Sequence, residues 1–516
     1  MTIVSVVQRH FPRSLSSLSK HISNVRTAAR VISSNQGLRL FLNSRFASRI
    51  HCQPDVYRFA AYLGQQFGCT HVIAVGTPSA KDLIQVVPGF EVIGITHTAE
   101  LGAYRRRYGF ATWFDLSPEG VCNLPVCEDV LSHAVIVCTN VIEQLESPLR
   151  FLHNLKNWLN HAPVCILTSP DRELNCRNND QNSRTRSQGK WNLSDLDHLL
   201  KAEGLTSEFI GLTASDDVSF EKSTILAVIT RDTVFGSTGV KTPSNFRVVA
   251  FMAAYNEEDI VVQSIKQWTD QGINVHILEN WSTDSTYDLA KQMEAQLPVT
   301  VERFPSEGPS QYFNWGAMLE RIESLSREIK ADWFVRRGAD EVLTPPWPGM
   351  SYRDCLYLVD QAGFNCLDHT VIEFHPVDDG FEPGTNHEEY FKHFDFEKHP
   401  SISLQRKAWK NCGRLISTVP SGGHDIPFEG RRIYPFKFLA KHYPVRSQKH
   451  GEKKIFQERK ARWNPAERAK GWHIQYDAIN EGHNFLQPSV KQTLFDETHF
   501  NQTYLVERLS GIGVLR

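Results

Sequence analysis

The sequence has no uninterrupted apolar run of about 18 residues, the length that a membrane-spanning helix needs, so we expect no transmembrane segment. None of the 10 cysteines forms a C-x-x-C pair, and none shows zinc-like spacing to a histidine. Scattered single cysteines are typical of reduced thiols rather than of a disulfide framework, which favours a cytoplasmic protein. The formal net charge of -2 argues against binding to a polyanion along the whole chain, and we expect no nucleic-acid partner.

Acidic residues are missing from the N-terminal stretch, where the first carboxylate is Asp55. Serines are frequent there, and so are basic residues: Arg9, Arg13, Lys20, Arg26, Arg30, Arg39, Arg45 and Arg49. Such a composition is typical of an organelle transit peptide. The alternative is a basic helical extension that lies on the protein or makes peripheral contact with an anionic membrane surface. We favour the extension, because composition alone identifies transit peptides poorly.

A chain of 516 residues is too long for one ordinary hydrophobic core, because single domains cluster near about 100 to 200 residues. Residues 231–244 include Gly236, Gly239 and Pro243 without apolar periodicity, which is typical of a linker. We predict a basic extension (1–53), a first α/β domain (54–231), a linker (232–245), a second α/β domain (246–480) and a C-terminal helical tail (481–516).

In the first domain, short apolar runs alternate with helical segments, as expected of a doubly wound sheet. The predicted strands are 71–75, 91–95, 134–137, 164–167 and 223–228. With the segments 138–145 and 211–217, they resemble class I methyltransferases that depend on S-adenosylmethionine. The resemblance implies a Rossmann-like fold with the cofactor at the carboxyl ends of the strands.

The sequence departs from that family at the positions that would hold the cofactor. Of the glycine-rich turn after the first strand only Gly76 is present, and Pro78 removes a backbone donor. Thr96 stands where the family has an acid for the ribose, while Asn140 and Gln144 stand where an acid and a histidine are common. We therefore expect a degenerate domain with a structural or partner-binding role and no S-adenosylmethionine site. An active methyltransferase is the alternative.

Three strands of the second domain end in acidic or amide side chains. The first run, 247–252, leads into Tyr255-Asn256-Glu257, the second, 274–278, into Glu279-Asn280 and Asp284, and the third, 333–335, into Arg336-Arg337-Gly338-Ala339-Asp340-Glu341. Each group alone is consistent with an ordinary helix cap. Ligands in open parallel sheets bind outside the carboxyl ends of the strands, so the three groups together predict a binding crevice.

This ordered set resembles family 2 glycosyltransferases of the GT-A fold over about 247–477. The resemblance implies a nucleotide-sugar donor, a glycan or lipid-linked acceptor, as in polysaccharide biosynthesis, and inversion at the sugar C1. It implies that the nucleotide is lined by the residues after the first two strands: Tyr255, Asn256, Glu257, Glu279, Asn280 and Asp284.

The third strand end of that family carries an Asp-x-Asp motif that holds Mg or Mn against the donor phosphates. Gly338 replaces the first acid here, which leaves Asp340 and Glu341, with His424 as a further candidate ligand. The preceding Arg336 and Arg337 are candidates to bind phosphate directly, because guanidinium groups match phosphate geometry. The alternative is that one points inward to an ion pair and the other to solvent.

Later candidates come from the segments 422–425 and 441–447. By the same resemblance, His442 and Arg446 are candidate phosphate ligands. The catalytic base that deprotonates the acceptor hydroxyl is expected to be an acid. Five acids qualify by type, and Asp425 is our choice because it follows His424; the others are Asp368, Glu373, Asp378 and Asp379. The basic residues after Arg446, which include Lys453 and Lys454, are predicted to lie on the exposed face of a helix.

The sequence therefore predicts an α/β protein with two doubly wound domains, a degenerate methyltransferase-like domain followed by a glycosyltransferase. The rival hypothesis is a non-catalytic scaffold in which both sites have lost their chemistry.

Overall fold

The structure is a computed structural model that describes residues 52–117, 126–177, 190–214, 221–232, 241–397 and 404–514. The chain divides into two compact units. The first comprises the residues up to Leu205 together with Ala214–Arg231, and the second comprises Thr206–Thr213 and Asp232–Arg516. Residues 1–51 of the predicted basic extension, most of the predicted linker and residues 215–217 of the methyltransferase-like segment lie outside the described residues. Within the described part of the chain, no helix is both long and apolar enough to cross a membrane.

The first sheet is doubly wound and mainly parallel. Its strands are β1 (His71–Gly76), β2 (Glu91–His97), β3 (Thr112–Leu116), β4 (Ala134–Thr139), β5 (Val164–Pro170), β6 (Ser207–Ala214) and β7 (Lys222–Thr230). The helices are α1 (Pro54–Gln66), α2 (Ala80–Leu83), α3 (Thr98–Arg107), α4 (Glu128–Ser132), α5 (Pro148–Leu159), α6 (Arg172–Arg177) and α7 (Leu193–Ala202). The order β3-β2-β1-β4-β5-β7-β6, with β7 antiparallel to β5, is Rossmann-like. The five strands predicted from apolar runs are present.

The second unit contains two further sheets. Its strands are β8 (Val248–Ala254), β9 (Asn274–Glu279), β10 (Val299–Arg303), β11 (Trp333–Gly338), β12 (Glu341–Thr344), β13 (Cys366–Leu367), β14 (His369–Phe374), β15 (His393–Phe396), β16 (Ala408–Lys410), β17 (Phe438–His442) and β18 (Thr493–Leu494). The α-helices are α8 (Val261–Thr269), α9 (Thr286–Glu294), α10 (Trp315–Glu328), α11 (Tyr352–Gln361), α12 (His387–Tyr390), α13 (Gln448–Glu452), α14 (Pro465–Arg468), α15 (Glu497–Thr503) and α16 (Leu505–Ser510), and Lys453–Arg459 is π-helical.

The six-stranded sheet has the order β10-β9-β8-β11-β16-β13, in which the first four strands are parallel. Helix α8 buries Val261, Ser264, Ile265 and Trp268, which lie on one face at helical spacing. The core below α10 includes Phe251 and Phe334, whose ring centroids are 5.4 Å apart. The prediction of an α/β fold with two domains is therefore confirmed.

The five-stranded sheet, β12-β17-β14-β15-β18, places polar side chains beside the end of β11. Its register pairs His442 with both Glu341 and Glu373, so these three residues lie in a row across β12, β17 and β14. Asp340 stands between the end of β11 and the start of β12, where the two sheets meet. The predicted tail, 481–516, contributes β18 to this sheet and Phe500 to its core.

Candidate active site

The loops after β8 and β9 are held together by the side chain of Asn256. Its φ is +54°, a left-handed conformation that asparagine tolerates better than most residues. The Thr283 N–H donates to Asn256 Oδ1 at 2.8 Å, and Asn256 Nδ2 donates to Thr283 Oγ1 at 3.2 Å and to Glu458 Oε1 at 2.5 Å. Asn256 therefore fixes the shape of the crevice at these two strand ends.

The two residues predicted to recognise the base, Glu279 and Asn280, already have partners in the fold. Glu279 is fully buried and accepts from the N–H groups of Trp281, at 3.2 Å, and Ser282, at 2.6 Å. Asn280 Nδ2 donates to the Phe304 carbonyl at 2.9 Å. A base could reach Glu279 only if this turn opened, so its role in base recognition stays a prediction.

Tyr255 provides an aromatic surface beside these loops. The guanidinium carbon of Arg462 lies 4.0 Å from the centroid of the Tyr255 ring, and Arg462 Nη2 donates to Asn280 Oδ1 at 3.0 Å. The other predicted nucleotide ligand, Asp284, accepts from the N–H groups of Thr286 and Glu258, at 2.9 and 3.3 Å. The Arg462 guanidinium covers one face of the Tyr255 ring, so base stacking on Tyr255 stays a prediction, whereas Asp284 joins two loops.

Two lysines neutralise the acids that follow β11. Lys454 Nζ lies 2.8 Å from Asp340 Oδ2 and 3.5 Å from Glu257 Oε1. Lys407 forms an ion pair with Glu341 Oε1, and the Gly338 N–H donates to Glu341 Oε2 at 3.0 Å. Lys454 and Lys407 are themselves buried, so these contacts replace the water that each charge has lost.

The charges at this point shift the pKa values of the acids and of His442. Burial alone would raise the pKa of Asp340, but Lys454 and His442 hold it well below its usual range. Burial would also raise the pKa of Glu341, but Lys407 and His442 lower it to about 2. Burial would lower the pKa of His442, yet Asp340 and Glu373 raise it well above its usual value. The two carboxylates therefore favour the protonated, cationic form of His442.

The other late phosphate candidate, Arg446, is the centre of a buried ion-pair group. Only 1% exposed, it places Nη2 2.6 Å from Glu257 Oε2 and Nε 2.6 Å from Asp259 Oδ2. Glu257 thus contacts both Arg446 and Lys454. Phosphate binding by His442 and Arg446 stays a prediction, because carboxylates occupy both cations in this structure.

The arginine pair on β11 is buried at both positions, so neither side chain points to solvent. Arg337 packs on Trp268 and donates to the Gly338 carbonyl at 2.8 Å, and burial lowers its pKa to about 10. Arg336 lies beside the Trp315 ring, donates to the Gly423 carbonyl and keeps its Nε without a hydrogen-bond partner among the described residues. Phosphate binding by Arg336 and Arg337 stays a prediction.

His424 and Asp425 have partners of their own. Gln405 Nε2 lies 2.9 Å from His424 Nδ1. Asp425 Oδ1 accepts from Arg406 at 2.7 Å and from Arg431 at 2.6 Å. Burial would raise the pKa of Asp425, but the two arginines lower it. A carboxylate held in this way is a weak base, and the catalytic role of Asp425 stays a prediction.

The predicted metal ligands do not converge. Among the described residues, the one group of three His, Cys, Asp or Glu side chains whose donor atoms lie within 4.8 Å of one another is Glu373, Glu397 and His442. Asp340, Glu341 and His424 form no such group, and Lys454 and Lys407 occupy the two carboxylates. A site for Mg or Mn at those three residues therefore has no support in the geometry.

Lys454 is the residue that sequence reasoning misplaced. The prediction that it lies on an exposed helix face is wrong, because Lys454 is only 5% exposed, whereas the neighbouring Lys453 side chain is 44% exposed. Both belong to the π-helical segment Lys453–Arg459, whose wider turn differs from the α-helical spacing used to assign faces. The pattern of charged residues in the sequence does not indicate that Lys454 is buried.

At the corresponding strand ends of the first unit, Gly76 is required by its surroundings. Its φ is +115°, and a Cβ there would lie 2.6 Å from the Thr139 carbonyl oxygen. Thr96 Oγ1 and Glu143 Oε1 are buried and have no hydrogen-bond partner among the described residues. Burial raises the pKa of Glu143 to about 7.

No protein-family model matches the sequence, and no curated protein matches it. Among solved structures, the O-methyltransferase NcsB1 of neocarzinostatin biosynthesis is 14% identical, with a TM-score of 0.25 over 32% of this chain and 50% of that chain. A SAM-dependent methyltransferase from Aquifex aeolicus is 15% identical, with a TM-score of 0.25 over 35% of this chain and 94% of that chain. TarS from S. aureus is 11% identical, with a TM-score of 0.20 over 32% of this chain and 28% of that chain. Such weak and partial similarities establish no family and carry no argument about function.

Proposed function

We propose that the second unit is a glycosyltransferase that moves a sugar from a nucleotide-diphosphate donor to a glycan or lipid-linked acceptor, with inversion at C1. The register of the six-stranded sheet is the observation that supports it. Ala254 pairs with Glu279, and Ala253 pairs with Gly338, so three parallel strands end at one level. The residues that follow them, which include Asn256, Asn280 and Asp340, line the edge where such sheets bind ligands.

In this proposal, the base stacks on Tyr255 beside Arg462, and the diphosphate lies toward the cations at the end of β11. Arg336 is a further phosphate candidate, because a guanidinium with an unused donor beside an aromatic ring can still hold an oxyanion.

Asp425 is the proposed catalytic base, and the variant Asp425→Asn tests this role. A catalytic role predicts loss of turnover in a stable protein, whereas a structural role predicts loss of stability.

The test is release of nucleoside diphosphate from UDP-, GDP- and dTDP-sugars, followed by chromatography. We expect release from one donor class, and we expect Tyr255→Ala to weaken donor binding about tenfold, the usual effect of losing one base-stacking partner. Tyr312→Ala is the matched control, since Tyr312 is 39% exposed and is not part of the proposed site. Absence of both donor binding and release would favour the non-catalytic scaffold.

A second candidate function is the binding of S-adenosylmethionine by the first unit. Two buried atoms without hydrogen-bond partners among the described residues, Thr96 Oγ1 and Glu143 Oε1, support it. Polar atoms without partners near the carboxyl ends of β2 and β4 would suit a bound S-adenosylmethionine. Against it stands the turn after β1, where the Ser79 side chain caps α2 and the Ser79 N–H donates to Asp82 Oδ2 at 2.8 Å. Saturable binding of S-adenosylmethionine that is lost in Glu143→Ala would establish this function, and its absence would leave a structural domain.

A further inference from the structure

The position of Lys454 bears on the metal that the glycosyltransferase resemblance implies. Its ammonium lies 2.8 Å from Asp340 Oδ2 and 3.5 Å from Glu257 Oε1, and its side chain is only 6% exposed. These are carboxylates from two different strand ends, after β11 and after β8. A positive charge from the chain itself therefore stands at the point where a divalent cation would need free carboxylate oxygens.

The glycine at residue 338 fits the same arrangement. A Cβ built on Gly338 would lie 2.6 Å from Asp340 Oδ1, so the Asp340 carboxylate fills the space next to residue 338. An aspartate at 338 would meet this carboxylate at close range and add a second negative charge beside it. Compared with the Asp-x-Asp metal site that the resemblance implies, the end of β11 thus lacks the carboxylate at residue 338 and gains the ammonium of Lys454.

The neighbouring acid is occupied in a similar way. Glu341 forms an ion pair with Lys407, whose side chain is 3% exposed, and its second oxygen accepts from the Gly338 N–H. Arg446 holds Glu257 from the other side at 2.6 Å. The acids at this edge are therefore neutralised by lysine and arginine, and the hard oxygen ligands that Mg or Mn needs are already engaged.

We infer that Lys454 takes the place of the divalent cation, so that the second unit binds the diphosphate of its donor without a metal. The inference rests on the proposed function, because it concerns the donor of that reaction. An ammonium has three donor hydrogens; Lys454 donates one to Asp340 Oδ2, and the ion pair with Glu257 Oε1 at 3.5 Å engages a second. The third is available to a phosphate oxygen, and the charge acts on the diphosphate at a site with little water.

The first test is a calorimetric titration of the full-length protein with UDP, GDP and dTDP, once in EDTA and once in Mn²⁺. We expect one nucleotide to bind with the same affinity in both conditions. Binding that appears only with Mn²⁺ would overturn the inference and leave the proposed function standing. Absence of binding in both conditions would contradict the proposed function and the inference together.

The second test uses Lys454→Met, with Lys453→Met as the control on the adjacent, exposed side chain. We expect Lys454→Met to weaken nucleotide binding at least about tenfold, as for the loss of one charge-assisted hydrogen bond, and the control to bind normally. We also expect Lys454→Met to bind Mn²⁺, measured by the loss of the free-ion electron paramagnetic resonance signal, because Asp340 and Glu257 lose the ammonium that lies between them. Unchanged nucleotide affinity in a folded Lys454→Met protein would overturn the inference. If this variant does not fold, the EDTA titration of the native protein decides alone.

Discussion

Arg446 and Glu257 form a buried ion pair with 2.6 Å between Nη2 and Oε2, and Arg446 also binds Asp259. The pair joins the loop after β8 to the segment after β17. The loop that carries Asn256 and Glu257 is thus fixed from a distant part of the chain, before any ligand is present.

Replacing Arg446 with Met should lower the free energy of unfolding by about 3 kcal/mol, because removing one partner leaves Glu257 and Asp259 with uncompensated charge. Chemical denaturation measures the effect. The matched control is Arg414→Met, which breaks the exposed pair with Glu429 and should change the stability by less than about 1 kcal/mol. Equal effects of the two variants would show that the buried pair has no special structural role.

Substituting Gly338 with Asp should not create a metal site and should destabilise the second unit. The new side chain would crowd Asp340 Oδ1 and add a negative charge that Lys454 cannot also neutralise. We expect a loss of about 2 kcal/mol in unfolding free energy, with a smaller loss in Gly338→Ala, which adds only the Cβ. Tight Mn²⁺ binding by a stable Gly338→Asp protein would contradict this view of the site.

The raised pKa of His442 predicts a dependence of stability on pH. Because Asp340 and Glu373 overcome the effect of burial, the folded-state pKa lies above the ordinary value of 6.5. The contribution of His442 is therefore complete below about pH 6.5 and is lost as the pH rises through the folded-state pKa. The difference in unfolding free energy between the native protein and His442→Gln should be largest below that pH and should shrink above it. The exposed His499 gives the control, His499→Gln, and a difference that stays constant with pH would contradict the prediction.

Glu143 predicts a pH dependence of the same sign in the first unit, but from burial of a carboxyl group rather than from an ion pair. Burial raises its pKa from 4.5 to about 7, so the folded state retains a proton that the unfolded chain has lost. Stability should fall as the pH rises through this window, and above it Glu143→Gln should be more stable than the native protein by roughly 3 kcal/mol. Denaturation at acidic and alkaline pH measures this, with the exposed Glu146→Gln as control. A Glu143→Gln protein with native stability at alkaline pH would show that Glu143 is ionised without cost.

Much of the fold could be predicted from local pattern, because buried parallel strands are short apolar runs. The runs at β1, β2, β4, β5, β8, β9 and β11 agree with the structure. The strand β3 was missed because Thr112–Leu116 mixes polar and aromatic residues at the edge of the sheet.

The candidate site was predictable only in part. The three strand ends follow from topology, but the partners of their side chains depend on contacts between residues far apart in the chain. Lys454 is 114 residues from Asp340, and its burial depends on that carboxylate and on Glu257. Its place in a π-helical segment also removes the periodicity by which a buried face is recognised.

The central claim is that the second unit binds a nucleotide-sugar donor at the ends of β8, β9 and β11. Calorimetric titration of the full-length protein with UDP-, GDP- and dTDP-sugars tests it most directly. Our account predicts saturable binding of one donor class, weakened about tenfold in Tyr255→Ala and unchanged in Tyr312→Ala. Failure of every donor to bind a folded protein, with or without Mn²⁺, would contradict it.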